Sequence, residues 1–511
     1  MDSRSDKGQD EPGSHKELDN LQRLFQHTLG LVHLQGDISV KVKGIQSVAG
    51  SEAYQARLDE IHQNLRDYQE NPRLVQSPEE LEELEQAIRE LTEELAALVT
   101  GRQIQHSLDS EPMQEAQSKL VAEWPHRLKN HESTGVWVRT ASGYEIWVKA
   151  RYFRRTGKRS DKRRCRGFYL GLLLLGINEH CTSGFAAEVS LLAAMLGSLA
   201  EARDVLAERG VRIDIKVLRK ITYRFSQRAR LTQRLKGLGF DDNVAGRRVV
   251  VSMDGGRIRL KEKKRGGKTA KGRSRYQGAW REPKLFIIYV VDAEGKLERS
   301  FLPVMDGNIR GPDALFQLLH SYLGQLGITE ADQVLFVADG ARWIWNRISA
   351  LVHGLGLKPE QVHELIDFYH AVEHLGKVAG LRKSWTARQR KFWVRKHRRL
   401  LRQGQVEKVI EAVKEVCRGR HSKGIRTERN YFVRNISRMA YAQVRALKLP
   451  IGSGSVESAI RRVVNLRLKG PCIFWCKENA EAILLLRCYW KAGRWNQLKN
   501  RANSLVLEAY A

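Results

Sequence analysis

Three acidic residues have types and surroundings suited to phosphate-ester chemistry. Asp254 closes the run Val250-Val251-Ser252-Met253 and is followed by Gly255 and Gly256. Asp339 closes Val334-Leu335-Phe336-Val337-Ala338 and is followed by Gly340. Glu457 lies in Gly452-Ser453-Gly454-Ser455-Val456-Glu457-Ser458. Two of the three end β-branched or apolar runs, so each carboxylate is expected at the exit of a buried strand, while Glu457 opens a helix. Carboxylates gathered in this way can hold two divalent cations, Mg2+ or Mn2+, about 4 Å apart for phosphodiester chemistry. Each residue also has an ordinary explanation, since Asp-Gly pairs form turns and a first-turn Glu complements the helix dipole. Joint placement is what favours a metal site. A further pair, Asp367 and His370 in Asp367-Phe368-Tyr369-His370, follows another strand pattern and is assigned a site-supporting role.

The elements that must position these groups can be read from residue 245 onward. Arg247 to Met253 reads as a first strand, Lys284 to Val291 as a second and Leu297 to Val304 as a third, in an antiparallel meander. A helix from Asp313 to Leu326, a strand ending at Asp339, a helix from Ala341 to Leu355 and a strand from Val362 to Ile366 follow. This order is that of an α/β ribonuclease H-like core. Right-handed crossovers in such a sheet make the exits of the first and fourth strands neighbours, which brings Asp254 beside Asp339. Residues 376–450 break the pattern as a basic all-α insertion, and 451–511 complete the core, with Glu457 beginning a helix to about Leu468 and a last helix from Glu478 to Trp490.

Charge names the partner. The 511-residue chain has a net charge of +30, unevenly spread. Residues 1–120 hold 12 lysines and arginines against 23 acids, a net of −11, which leaves +41 on the rest. An excess of that size calls for a polyanion, and the usual ones are DNA, RNA and acidic membrane. A membrane is not expected, because the longest apolar run, Phe168 to Ile177, is about half a bilayer crossing. The N-terminus has no signal-peptide core. The six cysteines are sparse, and Cys472 and Cys476 lack the second pair that a zinc site needs.

Two basic segments are candidate DNA contacts. Lys261, Lys263, Lys264, Arg265, Lys268, Lys271, Arg273 and Arg275 crowd a glycine-containing hairpin loop beside the expected site. Arg388, Arg390 and Lys391 with Trp393 mark the insertion, where tryptophans could stack on unpaired bases. Arg461, Arg467 and Lys469 follow Glu457 and join the same group.

Upstream, residues 1–17 are polar and expected to be disordered, and 18–120 form an acidic helical region. A helical period at Leu18, Leu21, Phe25, Leu29 and Val32 is followed by the start signal Ser77-Pro78-Glu79-Glu80. Leu81, Leu84, Ile88, Leu91, Leu95 and Leu98 then keep coiled-coil spacing. Self-association as a dimer or higher oligomer and an intrachain helical hairpin both satisfy that seam. Residues 121–180 form a small mixed region with strand-like pieces at 136–138 and 144–148 and a basic run from Arg151 to Arg166. Within 181–240 three helices form a helix-turn-helix outline, the last carrying Lys216, Arg219, Lys220 and Arg224; a plain three-helix packing unit has the same outline.

Ser252-Met253-Asp254-Gly255, Trp280-Arg281-Glu282-Pro283-Lys284, Val337-Ala338-Asp339-Gly340, Asp367-Phe368-Tyr369-His370 and the string around Glu457 resemble bacterial insertion-sequence DDE transposases, as does Val464-Asn465-Leu466-Arg467-Leu468-Lys469-Gly470. The ISKra-type group is the nearest likeness, over residues 245–495. The resemblance implies Asp254, Asp339 and Glu457 as the catalytic metal-binding triad, and Asp367 with His370 as a signature before the insertion. It further implies cleavage at element ends and strand transfer into target DNA, in the bacterial cytoplasm in association with the nucleoid. A ribonuclease H-like nuclease, or a domesticated DNA-binding protein that no longer transposes, are the competing classes.

Overall fold

A five-stranded mixed sheet carries the acids. The computed structural model describes residues 51–156, 167–237, 242–270, 272–419 and 422–507. The N-terminal tail with its Leu18–Val32 period, the basic run from 157 to 166 and Lys271 lie outside the described residues.

The small region before the sheet is built from α1 (Glu52–Glu70), α2 (Pro78–Asp109), α3 (Glu111–Glu123), β1 (Leu128–Arg139), β2 (Glu145–Arg155), β3 (Gly167–Phe168) and α4 (Leu170–Leu174). Ser77 caps α2, accepting from the Glu80 amide at 3.2 Å, and Glu80 accepts in return from the Gln76 amide at 2.8 Å. Leu91, Leu95 and Leu98 pack on Tyr54, Leu58, Ile61 and Leu65 of α1, and Arg57 grips both oxygens of Glu94 at 2.8 Å. That part of the seam therefore closes within the chain as a hairpin, while Leu81 stays exposed.

Three helices follow: α5 (Ser183–Met195), α6 (Leu199–Glu208) and α7 (Ile215–Lys236). Each is capped, with Thr182, Ser198 and Asp214 accepting from backbone amides. They do not form a module of their own. Leu218, Ile221, Phe225 and Ala229 of α7 belong to the same apolar core as the sheet. Arg230 of α7 makes two hydrogen bonds, at 2.6 and 2.8 Å, to Asp306, a fully buried acid on the sheet. The boundary expected at residue 240 is thus crossed by core packing.

The sheet itself comprises β4 (Arg248–Gly255), β7 (Lys284–Val291), β8 (Val304–Asn308), β9 (Gln333–Ala338) and β10 (Val362–Ile366). Its order is β10-β9-β4-β7-β8. β4, β7 and β8 pair antiparallel, and β9 and β10 continue parallel to β4. This arrangement is compatible with a ribonuclease H-like core. The third strand begins at Val304 rather than Leu297, because Pro303 has no N–H to give to a ladder. All eight residues of β7 are buried, as a central strand covered on both faces requires. α8 (Pro312–Gln325) and α9 (Arg342–Leu355) make the crossovers.

Between β4 and β7 the basic segment folds back as a two-stranded ribbon, β5 (Ile258–Lys263) and β6 (Tyr276–Arg281), so that it is more ordered than a plain loop. The insertion is all helical: α10 (Phe368–Gly380), α11 (Ala387–Arg402), α12 (Val406–Cys417), α13 (Lys423–Arg434) and α14 (Tyr441–Ala446). It departs at the last residue of β10, ahead of the boundary expected at 376, and its two ends are joined where the Phe368 amide donates to the Ile451 carbonyl at 2.9 Å. The chain then forms α15 (Gly454–Ile460), a π-helical turn (Arg461–Asn465), α16 (Lys477–Lys491) and α17 (Trp495–Asn503). Among the described residues no helix is long and apolar enough to cross a membrane.

Candidate metal centre

The register of three parallel strands sets up the centre. Met253 pairs with Ala338, and Ala338 with Ile366. The next residue on each strand is an acid, so Asp254, Asp339 and Asp367 stand in a row at the C-terminal edge, with about 4.8 Å between neighbouring strands. Open α/β sheets bind their ligands at this edge.

Asp367 is fully buried and its two oxygens are both engaged. Oδ1 accepts from the His370 amide at 2.7 Å, capping α10, and Oδ2 accepts from the Ser453 amide. The second bond pins the segment that leads into α15, and Glu457 stands on the first turn of that helix. Gly452 is needed for the close approach: a Cβ there would lie 2.8 Å from the Tyr369 ring and 3.5 Å from Asp367 Oδ2.

His370 completes a cluster. Its Nδ1 is 3.9 Å from Asp367 Oδ1 and 3.7 Å from Glu457 Oε1. One donor atom from each of Asp367, His370 and Glu457 lies within 4.8 Å of the others, a spacing that could hold a metal ion. Asp367 is the least free of the three, since both its oxygens already accept backbone amides. His370 and the half-exposed Glu457 are reachable from solvent.

Asp254 shares this environment. Burial pushes its carboxyl up to about 6; the Gly255 amide, donating to Oδ1 at 2.6 Å, opposes that shift, while the charges of Asp339 and then Glu457 add to it. A carboxyl raised by neighbouring carboxylates is relieved by a cation between them. Asp339 accepts from the Ala341 amide at 3.0 Å through Oδ1, and its carbonyl accepts from the Trp345 indole at 2.6 Å. The donor set is oxygen-rich with one imidazole, which suits Mg2+ or Mn2+.

A turn from the neighbouring strand braces Asp254. The Gly256 amide donates to the Pro283 carbonyl at 2.8 Å. A Cβ on Gly255 would meet Glu282 Oε1 at 2.0 Å. Glu282 pairs at 2.6 Å with Lys284, a buried lysine whose ammonium lies 4.6 Å above the Trp343 ring. Neither the Glu282–Lys284 pair nor Tyr431, whose ring packs on Gly340, was legible as part of the site from spacing alone.

The basic residues separate into surface and core. On the ribbon, Lys261, Lys263, Lys264, Arg265, Lys268, Arg273 and Arg275 are all exposed. The ribbon is held by a further strand segment, with the Lys261 amide donating to the Trp475 carbonyl at 2.8 Å and the Trp475 amide to the Arg259 carbonyl at 2.9 Å. Arg259 lies over Phe474 and over the exposed Trp280. Lys216, Arg219, Lys220, Arg388, Lys391, Arg461 and Lys469 are likewise exposed.

Three residues expected on the DNA surface are otherwise occupied. Arg467 is buried, donates to the Ala193 carbonyl at 3.5 Å and covers the Trp475 ring, so it belongs to the core and not to a DNA surface. Arg390 donates to the Arg382 and Lys383 carbonyls. Trp393 is half-buried, packed against His397 and Trp385. The exposed aromatic on that helix is its neighbour Phe392. Cys472 and Cys476 are exposed free thiols.

No protein-family model and no curated protein matches the chain. Among solved structures, it is similar to the Drosophila P element transposase strand transfer complex over 64% of this chain and 85% of that one, with 12% identity and a TM-score of 0.23.

Proposed function

We propose that the chain is a DDE-type transposase that cleaves DNA at the ends of a mobile element and transfers the strands to a target. The observation that supports this best is the in-register row of Asp254, Asp339 and Asp367, with Glu457 drawn to it through the Asp367–Ser453 bond. Asp254, Asp339 and Glu457 would hold two Mg2+ or Mn2+ ions, with His370 alongside and Asp367 fixing the Glu457 segment. The ion pair, when bound, supplies activation of the attacking hydroxyl and charge neutralisation at the leaving oxygen.

The protein's own groups do the rest. The exposed lysines and arginines of the β5–β6 ribbon grip backbone phosphates without reading sequence. The exposed N-terminal turns of α7 offer Lys216, Arg219 and Lys220 to the same duplex. The resemblance to the ISKra-type group fits this reading, and assembly on paired element ends would require at least a dimer.

Joining separates a transposase from a nuclease. An oligonucleotide carrying a precut element end with a free 3′ hydroxyl should become linked to a supercoiled plasmid in the presence of Mg2+. Hydrolysis of both DNAs without linkage would instead assign a nuclease.

A further inference from the structure

Tyr431 belongs to α13 of the insertion, yet its ring rests on the turn that carries Asp339. A Cβ built on Gly340 would stand 2.3 Å from Tyr431 Cε2 and 2.9 Å from Cδ2, so any side chain at 340 displaces the ring or the turn. The Tyr431 ring is also stacked on His374, with 3.7 Å between centroids and 16° between planes. His374 is held in turn by Glu428, at 2.6 Å from Nδ1. From α13 the ring therefore touches the strand exit on the sheet and one other helix of the insertion, α10.

The hydroxyl of Tyr431 is buried and has no hydrogen-bond partner among the described residues. A buried hydroxyl is seldom left in that state. Burial, followed by the charges of Asp339 and Asp367, pushes this hydroxyl well above the ordinary tyrosine range.

We infer that Tyr431 is a positioning residue for Asp339: its ring fixes the Gly340 turn, and its hydroxyl donates to the Asp339 carboxylate when the centre is loaded. The insertion must then be seated for the centre to assemble. This rests on Asp254, Asp339 and Glu457 being the metal centre.

The test uses the full-length chain and Mn2+ alone, with free Mn2+ followed by electron paramagnetic resonance, and Asp254→Asn as the reference. Tyr431→Phe keeps the ring and should melt as the parent does, while weakening Mn2+ binding about tenfold. In a cleavage assay it should lower kcat and leave the KM for DNA unchanged. Gly340→Ala should weaken Mn2+ binding in the parent but have no further effect in Tyr431→Ala, where the clash is gone. Parental Mn2+ affinity in Tyr431→Phe, or an equal cost of Gly340→Ala in both backgrounds, overturns the inference while Asp254→Asn still upholds the centre. If Asp254→Asn binds Mn2+ as the parent does, the centre falls and this inference with it. Should Tyr431→Ala not fold, the Tyr431→Phe arm decides alone.

Discussion

The Asp367 carboxylate accepts the amide of Ser453, eighty-six residues further along the chain, and so joins the exit of β10 to the segment that carries Glu457. A short-range cap and a long-range clasp are made by one buried side chain, whose other oxygen accepts the His370 amide. Asp367→Asn puts an amide nitrogen against one of two N–H donors. It should cost about 1–3 kcal/mol in chemical unfolding and weaken Mn2+ binding about 10- to 100-fold. Equal loss of stability with unchanged Mn2+ affinity would leave Asp367 as a cap only.

Asp254 gives a pH dependence with a definite sign. Its carboxyl is raised from 3.8 to about 6 in the folded chain. The stability it contributes is therefore present below about pH 4 and lost as pH rises through about 6. In metal-free buffer, Asp254→Asn should raise the melting temperature above about pH 6, where the parent holds an ionised, desolvated acid, and change it little near pH 4. Mn2+ binding by the parent should release protons near about pH 6 and weaken as pH falls through that value. Melting curves in EDTA and Mn2+ titrations across roughly pH 4–8 check both.

Surface and core arginines should separate in DNA binding. Lys261→Ala, Lys263→Ala and Lys264→Ala together should weaken binding to any duplex and reduce the salt slope by about one for each phosphate no longer neutralised, with no change in melting temperature. Arg467→Ala should lower the melting temperature and leave the salt slope as it is. A salt slope reduced by Arg467→Ala would return that residue to the DNA surface.

The Arg230–Asp306 pair ties α7 to the sheet. Asp306→Ala leaves the half-buried Arg230 guanidinium and the buried Tyr322 hydroxyl without the acid they share, and should cost about 3–5 kcal/mol in urea unfolding. The paired change Arg230→Met with Asp306→Leu should recover most of that loss. If the single variant costs under about 1 kcal/mol, water reaches the pair and the core is looser there.

Strand exits were the most legible part of the chain. Val250 to Asp254 and Val334 to Asp339 announce buried parallel neighbours by composition, and the structure aligns them in register. Pro303 carried the correct start of the third strand, while Leu297, Phe301 and Leu302 extended the apparent strand back to 297. Glu457 was placed by resemblance more than by spacing, because the clasp that brings it in is a backbone amide at Ser453, and amides leave no mark in a sequence. Arg467 misled for the opposite reason. A charged residue reads as surface unless the ring and carbonyl that bury it, here Trp475 and Ala193, are known to be near. The third helix after residue 181 showed its basic face in the sequence, whereas its partnership with Asp306 is a long-range pairing that periodicity does not encode.

The most direct test of the metal centre is Mg2+-dependent cleavage of DNA bearing the element's ends, measured beside DNA binding for the parent, Asp254→Asn, Asp339→Asn and Glu457→Gln. Each variant is expected to bind DNA as the parent does, with cleavage and joining abolished in all three. Cleavage at the parental rate by any one of them would remove that residue from the centre, and by all three would contradict a carboxylate-held metal centre altogether.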